Sequence, residues 1–246
     1  MNADQPDPLR RWWRSQQYEP GPAGLLVNPF YFARRGLRTG LGEFLPALGG
    51  EVLDVGCGRK PYRHLTAATR YVGVDIDTPA TRALAAADYY YDGRTLPFPD
   101  ASFDAVLCSQ VLEHVFTPAE FLREIRRVLR PGGVLLLATP FVWDEHEQPQ
   151  DYGRYSSFGL QALLQRSGFV VEAQRKTCAD FRAVTQLASG YVYKVTRTNR
   201  TFLNVLVQLV LIAPLNVAGG LLGWILPGNP DLYLDNIVWA KKAEAP

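Results

Sequence analysis

Hydrophobic and polar residues follow two rhythms from residue 51 onward. Short apolar runs recur at Glu51-Val52-Leu53-Asp54-Val55-Gly56, Tyr71-Val72-Gly73-Val74-Asp75, residues 87–91, residues 103–108, Val134-Leu135-Leu136-Leu137-Ala138, Phe169-Val170-Val171-Glu172-Ala173 and Asn236-Ile237-Val238-Trp239-Ala240. Runs of this length, bounded by turn residues, predict buried strands. Between them the period changes. Over 118–129, Phe121, Leu122, Ile125, Val128 and Leu129 share one helical face, while Arg123, Glu124, Arg126 and Arg127 fill the other. Arg130-Pro131-Gly132-Gly133 stops that helix, and residues 156–166 predict a second one closed by Gly168. Residues 61–68 open with a proline suited to a first helical position and predict a helix after the first strand. Residues 30–48 predict one or two short helices. Strands alternating with helices predict an α/β fold: a seven-stranded, mostly parallel, doubly wound sheet with helices on both faces.

One segment departs from this rhythm. Residues 202–226 carry no charge and approach the roughly 20 residues of a membrane-spanning helix. Asn204, Gln208, Pro214, Asn216 and Gly219-Gly220 interrupt the run, so two shorter helices with a break near Pro214 are expected. The segment precedes the last strand. Residues 178–234 therefore read as a hydrophobic helical insertion, 29–177 with 235–246 as the domain that holds the sheet, and the Pro/Gly-rich 1–28 as an irregular N-terminal arm. If the last strand rejoins the sheet, the insertion begins and ends on one side, which excludes a single transmembrane helix. The remaining readings are a helical hairpin dipping into one leaflet, or a hairpin packed as a cap or against a second copy in a homodimer. Arg175, Lys176, Arg182, Lys194, Arg197 and Arg200 lie beside the apolar run, and Trp12-Trp13 sits among arginines. Both features suit peripheral contact of 200–228 with an anionic membrane.

Composition narrows the picture. The 246 residues suit one sizeable domain with an appendage, and 47% hydrophobic with 20% charged residues excludes a disordered chain. A net charge of +2 is too balanced for a protein that coats nucleic acid. Cys57, Cys108 and Cys178 form no CxxC pair, which argues against a disulfide framework and for a reducing compartment. No apolar stretch follows Arg10-Arg11-Trp12-Trp13-Arg14, so a signal peptide is not expected. The expected location is the cytoplasm, at the inner face of the membrane if the insertion meets lipid.

Ligands of such sheets bind beyond the carboxyl ends of the strands, where this sequence places distinctive residues. Gly56-Cys57-Gly58 follows the first strand, and two glycines one residue apart permit a sharp turn and close approach of a ligand. Asp75 ends the second strand, where a carboxylate can hold both hydroxyls of a ribose. Asp92-Gly93 can offer a side-chain acceptor and a backbone N–H to an adenine edge. A nicotinamide site would need a glycine where Pro61 stands.

With these residues the chain resembles the class I S-adenosylmethionine-dependent methyltransferases. The resemblance spans about residues 50–175. It is carried by residues 52–58, Gly73-Val74-Asp75, Asp92 through Asp104, Val111-Leu112-Glu113-His114 and residues 127–133, in order and at matching intervals. It implies S-adenosyl-L-methionine as cofactor. Gly56, Cys57 and Gly58 would pass close to its methionine part, and Asp54 would orient its amino group. Asp75 with Ile76 would hold the ribose, Asp92 with Gly93 the adenine, and Ser109-Gln110 would lie beside the sulfonium. Many relatives carry a further glycine where this chain has Lys60, so the turn after Gly58 is expected to differ.

Methyl transfer from a sulfonium is an in-line displacement that chiefly needs alignment and exclusion of water, with a base where the acceptor must lose a proton. The polar stretch after the fifth strand, residues 141–147 and 151–155, supplies candidates. His146 is the leading base because an imidazole titrates near neutrality, with Asp144, Asp151 and Tyr152 to orient it or to bind substrate. The bland alternative is a solvated loop in which Asp151 and Arg154 pair. His114 is expected to shape the pocket or the helix entry. No metal site is expected, since no second histidine stands at helical metal-ligand spacing from His146. The expected acceptor is an oxygen, less readily a nitrogen or carbon, of a small or lipid-linked molecule. An RNA methyltransferase is the alternative, disfavoured by the balanced charge and the absence of an added RNA-binding module. A catalytically silent cofactor binder is another, disfavoured because Gly56, Gly58 and Asp75 are all present.

Overall fold

A computed structural model describes residues 12–13, 15–16 and 19–244. The arm expected over 1–28 lies partly outside them, as do Arg10, Arg11 and Arg14; within them α1 (Gly24–Val27) is one helical turn. The chain separates into two compact units. One comprises residues up to Thr39 with Thr177–Leu234, the other Gly40–Lys176 with the segment from Asp235 onward. Helix α2 (Tyr31–Gly42) precedes the sheet.

The sheet unit is built from β1 (Gly49–Val55), β2 (Ala67–Ile76), β3 (Tyr89–Tyr91), β4 (Phe103–Ser109), β5 (Leu129–Pro140), β6 (Phe169–Lys176) and β7 (Asp235–Lys242), in the spatial order β3-β2-β1-β4-β5-β7-β6. The helices between them are α3 (Pro79–Leu84), α4 (Pro118–Val128) and α5 (Ser157–Arg166). All seven predicted strands are present. Neighbouring strands run parallel except at β7, which is antiparallel to both β5 and β6. The chain builds outward from β1 to β3, then returns to lay β4 on the other side of β1. That reversal opens a crevice beyond the carboxyl ends of β1 and β4. Leu53, Val106, Leu135 and Leu137 are fully buried in the core with Phe121, Leu122, Ile125 and Val128 of α4. Arg127, on the other face of α4, bonds the Leu96 and Phe98 carbonyls and the Asp100 carboxylate. It thereby holds the extended segment before β4 in place.

Two expectations are corrected. The helix predicted over 61–68 is a single 3-10 turn, Arg63–Leu65, because β2 begins already at Ala67 and claims the second half of the segment. The two helices with a break near Pro214, and hence the hairpin within 202–226, are one continuous helix, α7 (Thr201–Ile225). A π turn at Gln208–Ile212 stands just before the proline, and there the Ala213 N–H bonds the Gln208 carbonyl five residues back. The widened turn absorbs the hydrogen bond that proline cannot make.

In the helical unit α7 packs on α6 (Phe181–Thr196). At Gly219 the helices approach so closely that a Cβ would lie 2.3 Å from Thr185. The polar residues that interrupt the apolar run anchor the helix. Asn216 donates to the carbonyls of Leu25 (3.0 Å) and Asn28 (3.1 Å) and accepts from Ser189 (2.9 Å), and Gln208 donates to the Leu26 carbonyl at 2.9 Å. The opposite stripe of α7 is bare: Phe202 is 74% and Trp224 85% exposed. By length and composition α7 could cross a membrane. Yet the chain leaves the sheet at Lys176 and returns at Asp235, with Lys176 and Asn236 paired in register. A single crossing between those points is excluded by connectivity.

Candidate active site

The crevice beyond β1, β2 and β4 has a volume of about 710 Å³, within the range of small-molecule sites. Its floor is the loop after β1. Gly56 (φ +71°) cannot carry a side chain, since a Cβ would meet Val111 Cγ2 at 2.3 Å; at Gly58 (φ +48°) a Cβ would point into open space. A ligand can therefore lie directly on the Gly58 backbone. The loop is tied down by the Gly56 and Cys57 N–H groups, which donate to the Val74 carbonyl at 2.9 and 3.2 Å. Cys57 is buried, and burial pushes its thiol up to about 12. It is packing, not a nucleophile. Lys60 occupies the left-handed region (φ 54°) and pairs with Asp88 at 2.7 Å, so the turn closes without the further glycine.

Asp75, at the end of β2, lines the crevice. Its two oxygens accept the N–H groups of Gly58 (3.1 Å) and Ile76 (2.9 Å), so the carboxylate is held rigidly. Desolvation raises its pKa, and those two bonds oppose the shift. Each oxygen keeps a second lone pair for a ligand hydroxyl. Ile76, Asp92, Gly93 and Gln110 also line the crevice. Asp92 commits one oxygen to the N–H groups of Arg94 and Thr95, which shapes its turn. Gln110 adopts φ 58° and donates to Asp235 Oδ1 at 3.2 Å. Three predicted cofactor residues, Asp54, Cys57 and Ser109, do not form the crevice wall. Asp54 is buried beneath it and accepts from Tyr71 Oη at 2.7 Å, with desolvation raising its pKa to about 7. Ser109 stops short of the wall that its neighbour Gln110 joins.

Of the predicted catalytic set, Tyr152 alone lines the crevice. Asp151 is 4% exposed and bonded to Arg154 at 2.6 and 2.7 Å, which holds its carboxyl well below the usual range. This is an internal clamp of the loop, unlike the solvated pair of the bland reading. Asp144 offers its backbone carbonyl to Arg154 at 2.8 Å. His146 donates its backbone N–H to the Asp151 carboxylate at 2.9 Å. It stands behind the crevice against His114, the ring centroids 4.8 Å apart and the planes at 76°. His114, expected only to shape the pocket, lines it. Glu113, which sequence reasoning passed over, is fully buried below. Its carbonyl accepts the Tyr152 and Gly153 N–H groups at 2.8 and 3.1 Å, and Thr139 donates to its Oε2 at 3.1 Å. Burial raises its carboxyl pKa to about 8. The adjacent Glu-His pair at the start of a turn was the only local signal for this cluster.

Comparison with known proteins fits this geometry. The family described as "Methyltransferase domain" matches residues 53–137. A protein of Mycolicibacterium smegmatis named "probable S-adenosylmethionine-dependent methyltransferase" is 37% identical over 137 residues, 50% of this chain and 53% of that one. An O-methyltransferase of Aspergillus nomiae is 30% identical over 156 residues, covering 53% of this chain and 69% of that protein. The chain spans about half the length of the Mycolicibacterium smegmatis relative and 35% of a Mycobacterium tuberculosis one. Among solved structures, an S-adenosylmethionine dependent methyltransferase of Mesorhizobium loti superposes with a TM-score of 0.54 at 18% identity, over 85% of this chain and 99% of that one. The [4+2]-cyclase SpnF superposes with a TM-score of 0.53 at 20% identity, over 83% and 80%. At such identities the likeness shows the fold, and a fold hosts more than one chemistry.

Proposed function

The chain belongs to the class I S-adenosylmethionine-dependent methyltransferases, and on that premise we propose that it moves a methyl group to an oxygen of a small or lipid-linked acceptor. The observation that carries the reading is the pairing of an open backbone at Gly58 with the braced Asp75 carboxylate, in a crevice of cofactor size. These residues fit a ribose-bearing ligand with a short polar tail. When bound, the cofactor supplies an electrophilic methyl and its own leaving group.

The protein's share is then alignment and proton transfer. Asp75 would hold the ribose hydroxyls, Gly93 and Asp92 would meet the base, and Gly56 and Gly58 would carry the amino-acid tail. Phe116 and Tyr152, edge to face at 5.3 Å, stand on the crevice wall and keep water from the reacting end. The proton of a hydroxyl acceptor leaves toward the Glu113–His114–His146 cluster through His114, the member on the wall. His146 acts as a positioning partner, and Asp151 with Arg154 fixes the loop that carries it. The oxygen acceptor is favoured by the O-methyltransferase relative and by these proton-accepting groups. Isothermal calorimetry with S-adenosylmethionine tests the premise. Removal of two charge-assisted hydrogen bonds in Asp75→Ala should weaken binding by about a hundredfold; unchanged affinity takes the cofactor out of this crevice.

A lipid-linked acceptor is favoured by the bare apolar stripe of α7, with Trp224 and Phe202 at its two ends and Lys194, Arg197 and Arg200 just before it. The intact protein should float with vesicles of anionic phospholipid, and Phe202→Ser with Trp224→Ser should leave it at the bottom of the gradient. Failure of the intact protein to float removes the membrane from the reading.

A further inference from the structure

We propose that Glu113, His114 and His146 form a binding site for one divalent metal ion of the imidazole-binding class, Zn²⁺ foremost. One ligand atom from each of the three, a carboxylate oxygen and two ring nitrogens, lies within 4.8 Å of the others. The residues come from the turn after β4 and from the loop after β5, so only the folded chain assembles them.

Two independent observations mark the cluster as a ligand set. The first is Glu113 Oε1, which is buried without a hydrogen-bond partner among the described residues and stands 3.9 Å from His114 Nε2. A buried, unpartnered carboxylate oxygen is costly unless something cationic completes it. The second is the tautomer of His114. Its Nδ1 lies 2.6 Å from the Gln150 carbonyl oxygen, which can only accept, so Nδ1 carries the proton and Nε2 presents a bare lone pair. Glu113 Oε1 and His114 Nε2 thus face each other too far apart for a hydrogen bond between them. Ligands of one tetrahedral ion, at bond lengths of about 2.1 Å, stand about 3.4 Å apart. Closing the widest separation onto such an ion takes side-chain adjustments on the order of 1 Å.

The surroundings match what ligating groups need, since outer contacts orient the ligands and set their protonation. The Gln150 carbonyl orients His114. Nδ1 of His146 lies 3.3 Å from the Asp144 carbonyl and 3.4 Å from the Asp151 carboxylate, contacts that orient the ring. Arg154 Nη2 is more distant, at 3.5 Å, and spends its charge on Asp151. Thr139 holds the second oxygen of Glu113. Glu147, exposed and 3.9 Å from His114 Nε2, is available as a fourth ligand. Two imidazoles with one carboxylate select Zn²⁺, Mn²⁺ or Co²⁺ over Mg²⁺ and Ca²⁺. Because His114 lines the crevice, an acceptor hydroxyl that joined the ion would become more acidic, and its proton would pass to solvent instead of to His114, whose Nε2 the ion holds. That extension rests on the methyl-transfer reading; the ion site does not.

The full chain, stripped with a chelator and desalted, is titrated with Zn²⁺ by calorimetry and its ion content read by elemental analysis after dialysis. The expected result is about one ion per chain with a Kd near 1 µM or below. Binding should be weakened at least about tenfold in His114→Ala and in His146→Ala, and unchanged in His64→Ala. Glu113→Gln, which preserves shape, should weaken it as well, and Zn²⁺ should raise the melting temperature of the parent but of none of the three ligand variants. Uptake well below one ion per chain, or uptake that survives the combined histidine variant, overturns the site. Cofactor affinity of the metal-free chain is measured alongside. If it persists while Zn²⁺ fails to bind, the ion site falls and the methyltransferase reading stands.

Discussion

Leu135, Leu136 and Leu137 of β5 and Leu209, Val210 and Leu211 of α7 are apolar triplets of nearly the same composition, and they meet opposite fates. The first three are fully buried; the second three are 51%, 58% and 46% exposed. β5 has a strand on either side; Leu135 and Leu137 enter the core shared with α4 and α5, and Leu136, equally buried, points to the opposite face of the sheet. α7 presents one stripe to α6 and α1 and leaves the remainder uncovered. The two units also differ in what polar groups they bury. The sheet unit encloses carboxyls, Asp54, Glu113 and Asp235, whereas the helical unit encloses neutral groups, among them Gln186, Ser189, Gln208 and Asn216. An apolar run therefore marks core only where two sides are covered. A contiguous bare stripe of this size points to a partner or a lipid surface.

The contrast can be broken most directly at the triplets. Leu136→Ala should cost about 2–5 kcal/mol of unfolding free energy, because it opens a cavity in a closed core. Leu211→Ala should cost about 1 kcal/mol or less, since its side chain is already half in water. Denaturant titrations of the two variants decide this, and equal losses would mean that α7 is covered as β5 is. A smaller effect tests the helical unit where it does pack. Asn216→Ala leaves the Leu25 and Asn28 carbonyls and the Ser189 hydroxyl without their partner and should cost about 1–3 kcal/mol. Hydrogen exchange should show the loss in α6 and α7 and spare β4.

The smallest effect is a pH slope confined to the sheet unit. Asp54 is held protonated by burial up to about 7, while an unfolded aspartate releases its proton near ~3.9. The folded state thus binds the extra proton between those values. The contribution of Asp54 is fully present below the lower one and is lost as the pH rises through the upper one. Denaturation midpoints of the parent should fall between pH 5 and pH 7.5, and Asp54→Asn should make the decline shallower, leaving the part that the buried Glu113 carboxyl contributes. An equal slope in the variant would assign it elsewhere.

Much of the crevice was legible along the chain. Gly56, Gly58 and Asp75 were readable because each is a local solution to a local need: a turn, an open backbone, an acceptor at a strand end. Other features depend on what lies alongside. Residues 61–68 have a helical opening, yet β2 pairs with β1 from Ala67 and leaves room for one turn. Pro214 looks like a break, but the π turn before it keeps α7 whole. His146 looked like the active-site base because it follows a central strand. Its backbone N–H donates to Asp151, which Arg154 clamps, and among the two histidines of the cluster it is His114 that lines the crevice.

The sequence by itself determined the strand runs, the amphipathic α4 and the glycine-acid pattern of the crevice, since periodicity and turn chemistry act over a few neighbouring residues. Only the tertiary structure decided that Glu113, His114 and His146 meet and that α7 bares one stripe. It also decided that Asp54 lies beneath the crevice rather than on it. Those outcomes depend on which strands stand side by side and which faces are covered, and no spacing along the chain encodes that.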